Sequence, residues 1–436
     1  MHWKVGWTRR ADRSERYSGT GYRNWLGWWQ PQVFTESRSP AMTKRPIESV
    51  ADAQRRAKKR LPRPIYTALI SGNEKGVTMR ANVQAFSEIG WRPLVARETH
   101  EEQPIQRDLS SSALGIDLSM PIMIGPAGAQ AVDPRAEVAV AKAAKTAGIA
   151  IGLSSFATKP FKEVVAANPN ALYQLYWTGS KDEILWRAER AKADGAKGLI
   201  VTLDATGGGL GRRDWGSPSV PAKIDLATLI RFAPMGLSRP GWLARFVFGG
   251  GIPNLTVPNS ANGPGNDPSF GEIYGQLMQT QVPTWDDVKW LREQWGGKFV
   301  VKGLFRTQEA QRAIDIGADA IVVSNHGGNN LDSTYASIRV LPAIAETVGD
   351  QAEIWFDGGI RRGMDVAKAL ALGADTVLLG RAWLWGLAAG GEQGVLDILR
   401  MLESGLERSL VGLGHKSIKD LNPDDITAPE GFFIKG

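Results

Sequence analysis

Four histidines occur in the chain, His2, His100, His326 and His415, and only His326 follows a short apolar run, in the string AIVVSNHGG. An imidazole placed there can take up a proton near neutral pH, and the glycines behind it leave room for a flat ring or a substrate. A histidine that only bonds its own loop is the other reading of the same string. Asp204 closes a second apolar run, GLIVTLD, where its carboxylate can accept the proton of the other imidazole nitrogen, fixing the tautomer and stabilising imidazolium. Lys302 ends a third run, FVVKG. A buried ammonium is costly unless an anion or an electron-rich cofactor ring meets it, and an ion pair with Asp357 would serve as well. The strings DGGIRRG (357–363) and LLGRAW (378–383) add glycine-exposed amides and the guanidinium groups of Arg361 and Arg381, a combination suited to a phosphate. Arg362 is expected to face solvent. The chain has no cysteine, so thiolate nucleophiles, disulfides, Cys-ligated zinc and iron–sulfur centres are excluded; redox chemistry needs an organic cofactor, and no metal site is assigned.

These residues need elements that bring them together. Short, nearly continuous apolar runs at 121–125, 149–153, 171–177, 198–204, 299–303, 320–325, 353–358 and 376–380 alternate with helical stretches. Strands buried on both faces by crossover helices have this character, and eight such units without a Gly-rich first turn predict an α/β fold, a closed (β/α)₈ barrel, over an open doubly wound sheet. Every run finishes in residues able to hold a ligand. Ala127 and Gly128 follow the first, Ser155 the second, and Gln174 and Tyr176 lie in the third. Thr202 and Asp204 end the fourth and Lys302 the fifth, while Ser324 and His326 follow the sixth. Asp357, Gly358, Gly359 and Arg361 close the seventh, Gly380 and Arg381 the eighth. Eight strand ends converging on one rim are the expected mouth of a barrel enzyme.

Outside the barrel, predicted over 111–436, two segments stand apart. Residues 46–110 are expected to be a helical prelude, in which Ile47, Val50, Ala53 and Ala57 recur at helical spacing before Pro62 and Pro64 break the pattern. Residues 1–45 are expected to be a flexible, basic, Trp-rich extension, with Trp3, Trp7, Trp25, Trp28 and Trp29 either packed on the domain or set at a membrane interface. The positive charge is concentrated in this leading part. Residues 1–63 hold 15 Lys and Arg against 5 Asp and Glu, while the rest hold 37 against 40, so the fold itself carries no nucleic-acid-like field. No apolar run has transmembrane length and the first residues lack a secretory apolar centre, which predicts a cytoplasmic protein. The stretch 205–283, rich in Gly and Pro, interrupts the rhythm after the fourth strand. It is expected to leave from the catalytic face as a lid, a surface excursion or a patch for membrane or partner.

With SNHGG, DGGIRRG and LLGR in order, residues 46–436 resemble the FMN-dependent α-hydroxy acid dehydrogenases and oxidases. The resemblance implies FMN as cofactor. It sets Ala127 and Gly128 against the flavin and Ser155, Gln174 and Thr202 on its ring and ribityl parts. Lys302 falls at the N1–O2 edge, Ser324 at the base of the sixth loop, and Asp357, Gly358, Gly359, Arg361, Gly380 and Arg381 around the ribityl chain and phosphate. It further implies His326 as the base, Asp204 as its carboxylate partner, Tyr176 as the phenol beside the reacting carbon, Arg213 as an arginine at the substrate mouth, and a homotetrameric assembly.

Two positions depart from that family. Its pattern SNHGGRQLD has an arginine for the substrate carboxylate, where this chain reads SNHGGNNLD with Asn329. Its YDYYASG has a carboxylate-binding tyrosine, where this chain has Ala68 in IYTALISG. A plain 2-hydroxy acid therefore lacks both anchors. The departures are similar to those of the mycofactocin-biosynthesis branch of the family. That implies a peptide-derived, tyrosine-bearing cyclic amine, an amino lactam oxidised to an imine and hydrolysed to an α-keto amide with loss of ammonia. Asn329 is expected to meet the substrate amide with both its NH₂ and its carbonyl. A 2-hydroxy acid dehydrogenase or oxidase with a lactate-like or bulkier aromatic substrate remains the alternative.

Overall fold

A computed structural model describes residues 45–70, 72–95, 106–205, 233–249, 255–265 and 267–435. Arg213, most of the first half of the 205–283 interruption, and all but the last residue of the 1–45 extension lie outside the described residues.

The eight apolar runs form eight parallel strands: β1 (Ile122–Ile124), β2 (Ile151–Ser154), β3 (Ala171–Tyr176), β4 (Leu199–Thr202), β5 (Phe299–Leu304), β6 (Ala320–Val323), β7 (Glu353–Asp357) and β8 (Thr376–Leu379). Each pairs with its neighbour in sequence, and β8 pairs with β1 through Leu378–Met123, so the sheet closes into a barrel. Alternate residues divide its two faces. Ile122 and Ile124 pack outward under the helices, whereas Met123, Leu172, Ile200, Val300, Val322, Trp355 and Leu378 fill the interior.

A hairpin, Ser111–Ala113 with Ile116–Leu118, caps the end where the strands begin, turning at Leu114 and Gly115, both with left-handed φ (52° and 79°). Leu114 and Leu118 join the interior cluster. The barrel is thus a plugged core, open to chemistry only at the opposite rim.

The helical prelude comprises α1 (Val50–Arg60), α2 (Arg63–Leu69) and α3 (Val77–Glu88). As the spacing predicts, Ile47, Val50, Ala53 and Ala57 are buried; Pro62 stands at the N-cap of α2, and Pro64, expected to break the pattern as well, lies in the first turn of α2, where its missing N–H costs nothing. The prelude reaches further than a leading helical segment. Gly90 and Trp91 pair with Thr427 and Ile426 near the carboxyl end, and α3 docks on the loop after β6.

Within the interruption, α4 (Pro240–Gly249) is fastened to the loop after β1 by Trp242, whose indole N–H donates to Ala131 O (2.9 Å). Next, α5 (Phe270–Gln279) starts at a capping box of Ser269 and Glu272. The turn before it is locked to the barrel, because Asn259 bonds Phe161 N, Ala157 O and Lys159 O and accepts the Tyr173 hydroxyl on its own carbonyl. This part of the interruption is a fixed wall over the rim. Among the described residues, no helix is long and apolar enough to cross a membrane.

Candidate active site

The strand β6 ends at Val323, and Ser324 and Asn325 lead into a tight turn whose three residues, His326, Gly327 and Gly328, all have left-handed φ (54°, 62° and 75°). For His326 that conformation costs on the order of 1 kcal/mol. The surroundings hold it there. The imidazole Nδ1 donates to Asp204 Oδ1 at 2.8 Å, and Nε2 lies 3.2 Å from the Tyr176 hydroxyl. Burial alone would push the Asp204 carboxyl up, but the adjacent His326 and then Lys302 outweigh it and hold the group below the usual carboxylate range. Burial, reinforced by the charges of Asp204 and Asp357, raises Tyr176 far above an ordinary phenol, so its O–H stays a donor. With Asp204 anionic, Nδ1 carries the proton of the neutral ring and Nε2 presents a lone pair. The group can therefore accept a proton at Nε2 and stabilise the resulting charge.

Below it, Lys302 is 3 % exposed. Its Nζ pairs with Asp357 Oδ2 (3.0 Å) and donates to Ser324 Oγ (2.8 Å). The ion pair that the sequence left open is present. Desolvation pulls the ammonium toward neutrality, yet Asp357 and Asp204 raise its pKa on balance, so it stays charged. Ser324 donates to Asp357 Oδ1 (2.6 Å) and accepts from His326 N (3.1 Å), which uses its whole hydrogen-bonding capacity to tie the lysine pair to the histidine turn. Gln174 donates to Thr202 Oγ1 (3.0 Å), both side chains buried, while its Oε1 has no partner among the described residues; nor has Asp204 Oδ2. Such groups cost about 1–3 kcal/mol each unless something bonds them. Ser155 is buried beside them, and Ala127 and Gly128 line the turn after β1 half-buried.

At the seventh and eighth strand ends, Gly359 (φ 83°) approaches α3 so closely that a Cβ there would lie 2.0 Å from Asn82 O. Gly358 is also left-handed. Arg361 is half-buried and donates to Ile360 O (2.7 Å), and burial brings its pKa down to about 10 with only Asp365 opposing. Arg362 is exposed, as expected. Gly380 precedes α6 (Arg381–Gly390), which has no side-chain cap, and the space beside its Cα is open. That is a helix terminus with donors to spare, following the strand paired with the one that leads to Arg361. Arg381 sends N–H donors to Gly327 O (2.9 Å) and Asn329 Oδ1 (3.3 Å).

Several residues that position the site escaped sequence reasoning. Asn82 of α3 and Asn325 exchange two amide hydrogen bonds (2.8 and 2.9 Å). Asp332 accepts from Val77 N and Thr78 N at the start of α3, and Asn73 donates its backbone N–H to Gly328 O. Asn330 donates to Asp204 O at 2.8 Å. The one readable signal was Asn82, a polar residue at helical spacing with buried Ala85 and Phe86. An aromatic wall was also missed: Tyr176 stands 4.6 Å from Phe156, Phe156 5.6 Å from Phe270, and Phe270 stacks on Tyr274 of α5.

A family model described as FMN-dependent dehydrogenase matches residues 57–428. The chain belongs to the FMN-dependent dehydrogenase family. Membership makes it an FMN-dependent oxidoreductase, and the residues present fit that cofactor: an unsatisfied buried amide oxygen, a charged lysine with a donor to spare, a helix terminus without a side-chain cap, and Arg361 after the adjacent strand. The chain is 52% identical to "Pre-mycofactocin synthase" of Mycobacterium tuberculosis over 88% of this chain and 96% of that protein. It is 35% identical to "L-lactate dehydrogenase" of Ectopseudomonas mendocina over 87% and 98%. Among solved structures, the monotopic membrane protein (S)-mandelate dehydrogenase superposes with a TM-score of 0.74 at 30% identity, covering 88% of this chain and 99% of that one.

Proposed function

We propose that this family member acts in mycofactocin biosynthesis, oxidising a neutral, peptide-derived amino lactam to an imine that water converts to an α-keto amide and ammonia. The observation that carries this reading is the 52% identity to pre-mycofactocin synthase over 96% of that protein's length. The site chemistry supports it. His326 Nε2 takes the N–H proton of the substrate as its carbon is oxidised, Asp204 balances the imidazolium, and the Tyr176 O–H donates beside the reacting centre. Bound FMN supplies the two-electron acceptor. Gln174, Thr202, Ser155 and Lys302 would meet its ring system, with Ala127 and Gly128 against it. Ser324, Asp357, Gly358 and Gly359 would line the ribityl path, and Arg361, Gly380 and Arg381 the phosphate end, although two Arg381 donors already serve the His326 turn. Arg213 is assigned to the substrate mouth by resemblance alone. A homotetramer and a cytoplasmic location complete the proposal.

The test is anaerobic mixing of the yellow protein with the tyrosine-bearing amino lactam, following flavin bleaching and product mass. Bleaching with formation of the keto amide is expected, with poor bleaching by lactate, glycolate and mandelate. Rapid reduction by a small 2-hydroxy acid with none by the lactam would make the chain a hydroxy acid dehydrogenase or oxidase instead.

A further inference from the structure

The orientation of Asn329 narrows what this site can grip. Its Oδ1 lies 3.3 Å from Arg381 Nη2, and a guanidinium has donors only, so the atom facing it must be the amide oxygen. A second Arg381 donor, bonded to Gly327 O at 2.9 Å, holds the guanidinium against the same turn. The Asn329 NH₂ is thereby turned away from Arg381 and has no partner among the described residues, while the backbone N–H of Asn329 is tied to His326 O (3.2 Å). Asn329 is half-buried and sits three residues from the base. One lone pair of its carbonyl oxygen is engaged by Arg381, so the NH₂ is the half of the amide left for other partners.

We infer that Asn329, oriented by Arg381, is a specificity-determining residue that presents its neutral N–H donor beside His326, so that the site selects a neutral carbonyl oxygen, such as that of an amide, over a carboxylate. A neutral donor satisfies a carbonyl oxygen, whose desolvation is small. It does not replace the hydration of a carboxylate, and two of the five Arg381 N–H donors are turned to Gly327 O and Asn329 Oδ1. Arg381 acts here as a positioning residue. The inference rests on the proposed substrate class for the lactam scaffold, but its test needs no turnover.

The experiment titrates FMN-loaded protein with phenylacetamide and with phenylacetate, two ligands of one shape, and reads each Kd from the perturbed flavin spectrum. Wild type is expected to bind the amide at least about tenfold more tightly. Asn329→Asp, nearly isosteric, removes the donor and should weaken the amide about tenfold or more with FMN content unchanged. Asn329→Arg should invert the preference. Equal or tighter binding of phenylacetate by wild type overturns the inference, and so does undiminished amide binding by Asn329→Asp. If the amide preference holds but the amino lactam is not oxidised, the proposed reaction falls and the inference about Asn329 stands.

Discussion

At the end of the barrel where the strands begin, Leu114 and Leu118 of the hairpin cover an apolar interior, and the carboxylate there, Glu353, has both oxygens bonded, by Leu114 N (2.8 Å) and by Trp355 Nε1 (2.9 Å). The Thr376 hydroxyl has no partner among the described residues. At the opposite rim the unsatisfied atoms are an amide oxygen of Gln174 and a carboxylate oxygen of Asp204, and Lys302, Arg361 and the α6 terminus add donors. Both ends are built from the same strands. The difference teaches that the closed end bonds the Glu353 carboxyl within itself and leaves a neutral hydroxyl over, whereas the rim holds a carboxylate oxygen, an amide oxygen and charged donors in reserve for a ligand.

The largest effect is expected where that reserve meets chemistry. His326→Ala should slow substrate-driven flavin reduction by about 10⁴-fold, the upper range for a positioned base, and leave FMN bound. Anaerobic stopped-flow absorbance checks it, and an undiminished rate would move the base elsewhere on the rim. The closed end should respond in the opposite sense. Leu118→Ala, opening a cavity in the plug, is expected to cost about 2–5 kcal/mol of stability with kcat/KM within twofold of wild type at 25 °C. Denaturant midpoints measure the loss; a collapse of kcat at full occupancy of folded protein would erase the division between the ends.

Gln174→Leu tests the reserve itself. Removing the waiting amide should weaken FMN by about 1–3 kcal/mol, or about ten- to a hundredfold in Kd, measured by recovery of flavin fluorescence on dilution. An unchanged Kd would mean that the orphaned oxygen awaits something other than the cofactor. The smallest effect concerns Glu353, whose carboxyl burial pushes above its ordinary value despite its two donors. As pH rises past the ordinary glutamate range the unfolded chain loses this proton first, so the folded state loses stability until its own carboxyl ionises. Thermal midpoints should therefore fall more steeply with rising pH in wild type than in Glu353→Gln, and activity should not differ. Parallel curves would show that this carboxylate is solvated after all.

Much of this division was legible in the chain. The runs leading to Thr202, Lys302, Val323 and Asp357 are short and apolar in their middles, and only strands covered on both faces tolerate that, so the barrel follows from period and composition. The rim followed from the polar residue at each end, and the separation of His326 from the other histidines was visible in one string. The hairpin plug was not, because Ser111–Leu118 alternates weakly and its two leucines acquire meaning only once seven strands surround them. Nor was the grip of α3, since Asn82 and Asn325 are 243 residues apart and no local pattern couples them.

What the sequence determined by itself, then, is the inventory: eight buried strands, a rim of polar ends, one histidine with a carboxylate to match, and an asparagine and an alanine where the family has its carboxylate anchors. Tertiary structure alone decided directions. It put Asp204 on Nδ1 and left Nε2 facing Tyr176, bonded Arg381 to the His326 turn, and brought Phe270 and Tyr274 of the interrupting segment into one aromatic row with Phe156 and Tyr176. The physical reason is that residue type limits which bonds a side chain can make. Which of them it does make depends on donors and acceptors arriving from distant segments, and on the burial that makes leaving one unpaired costly.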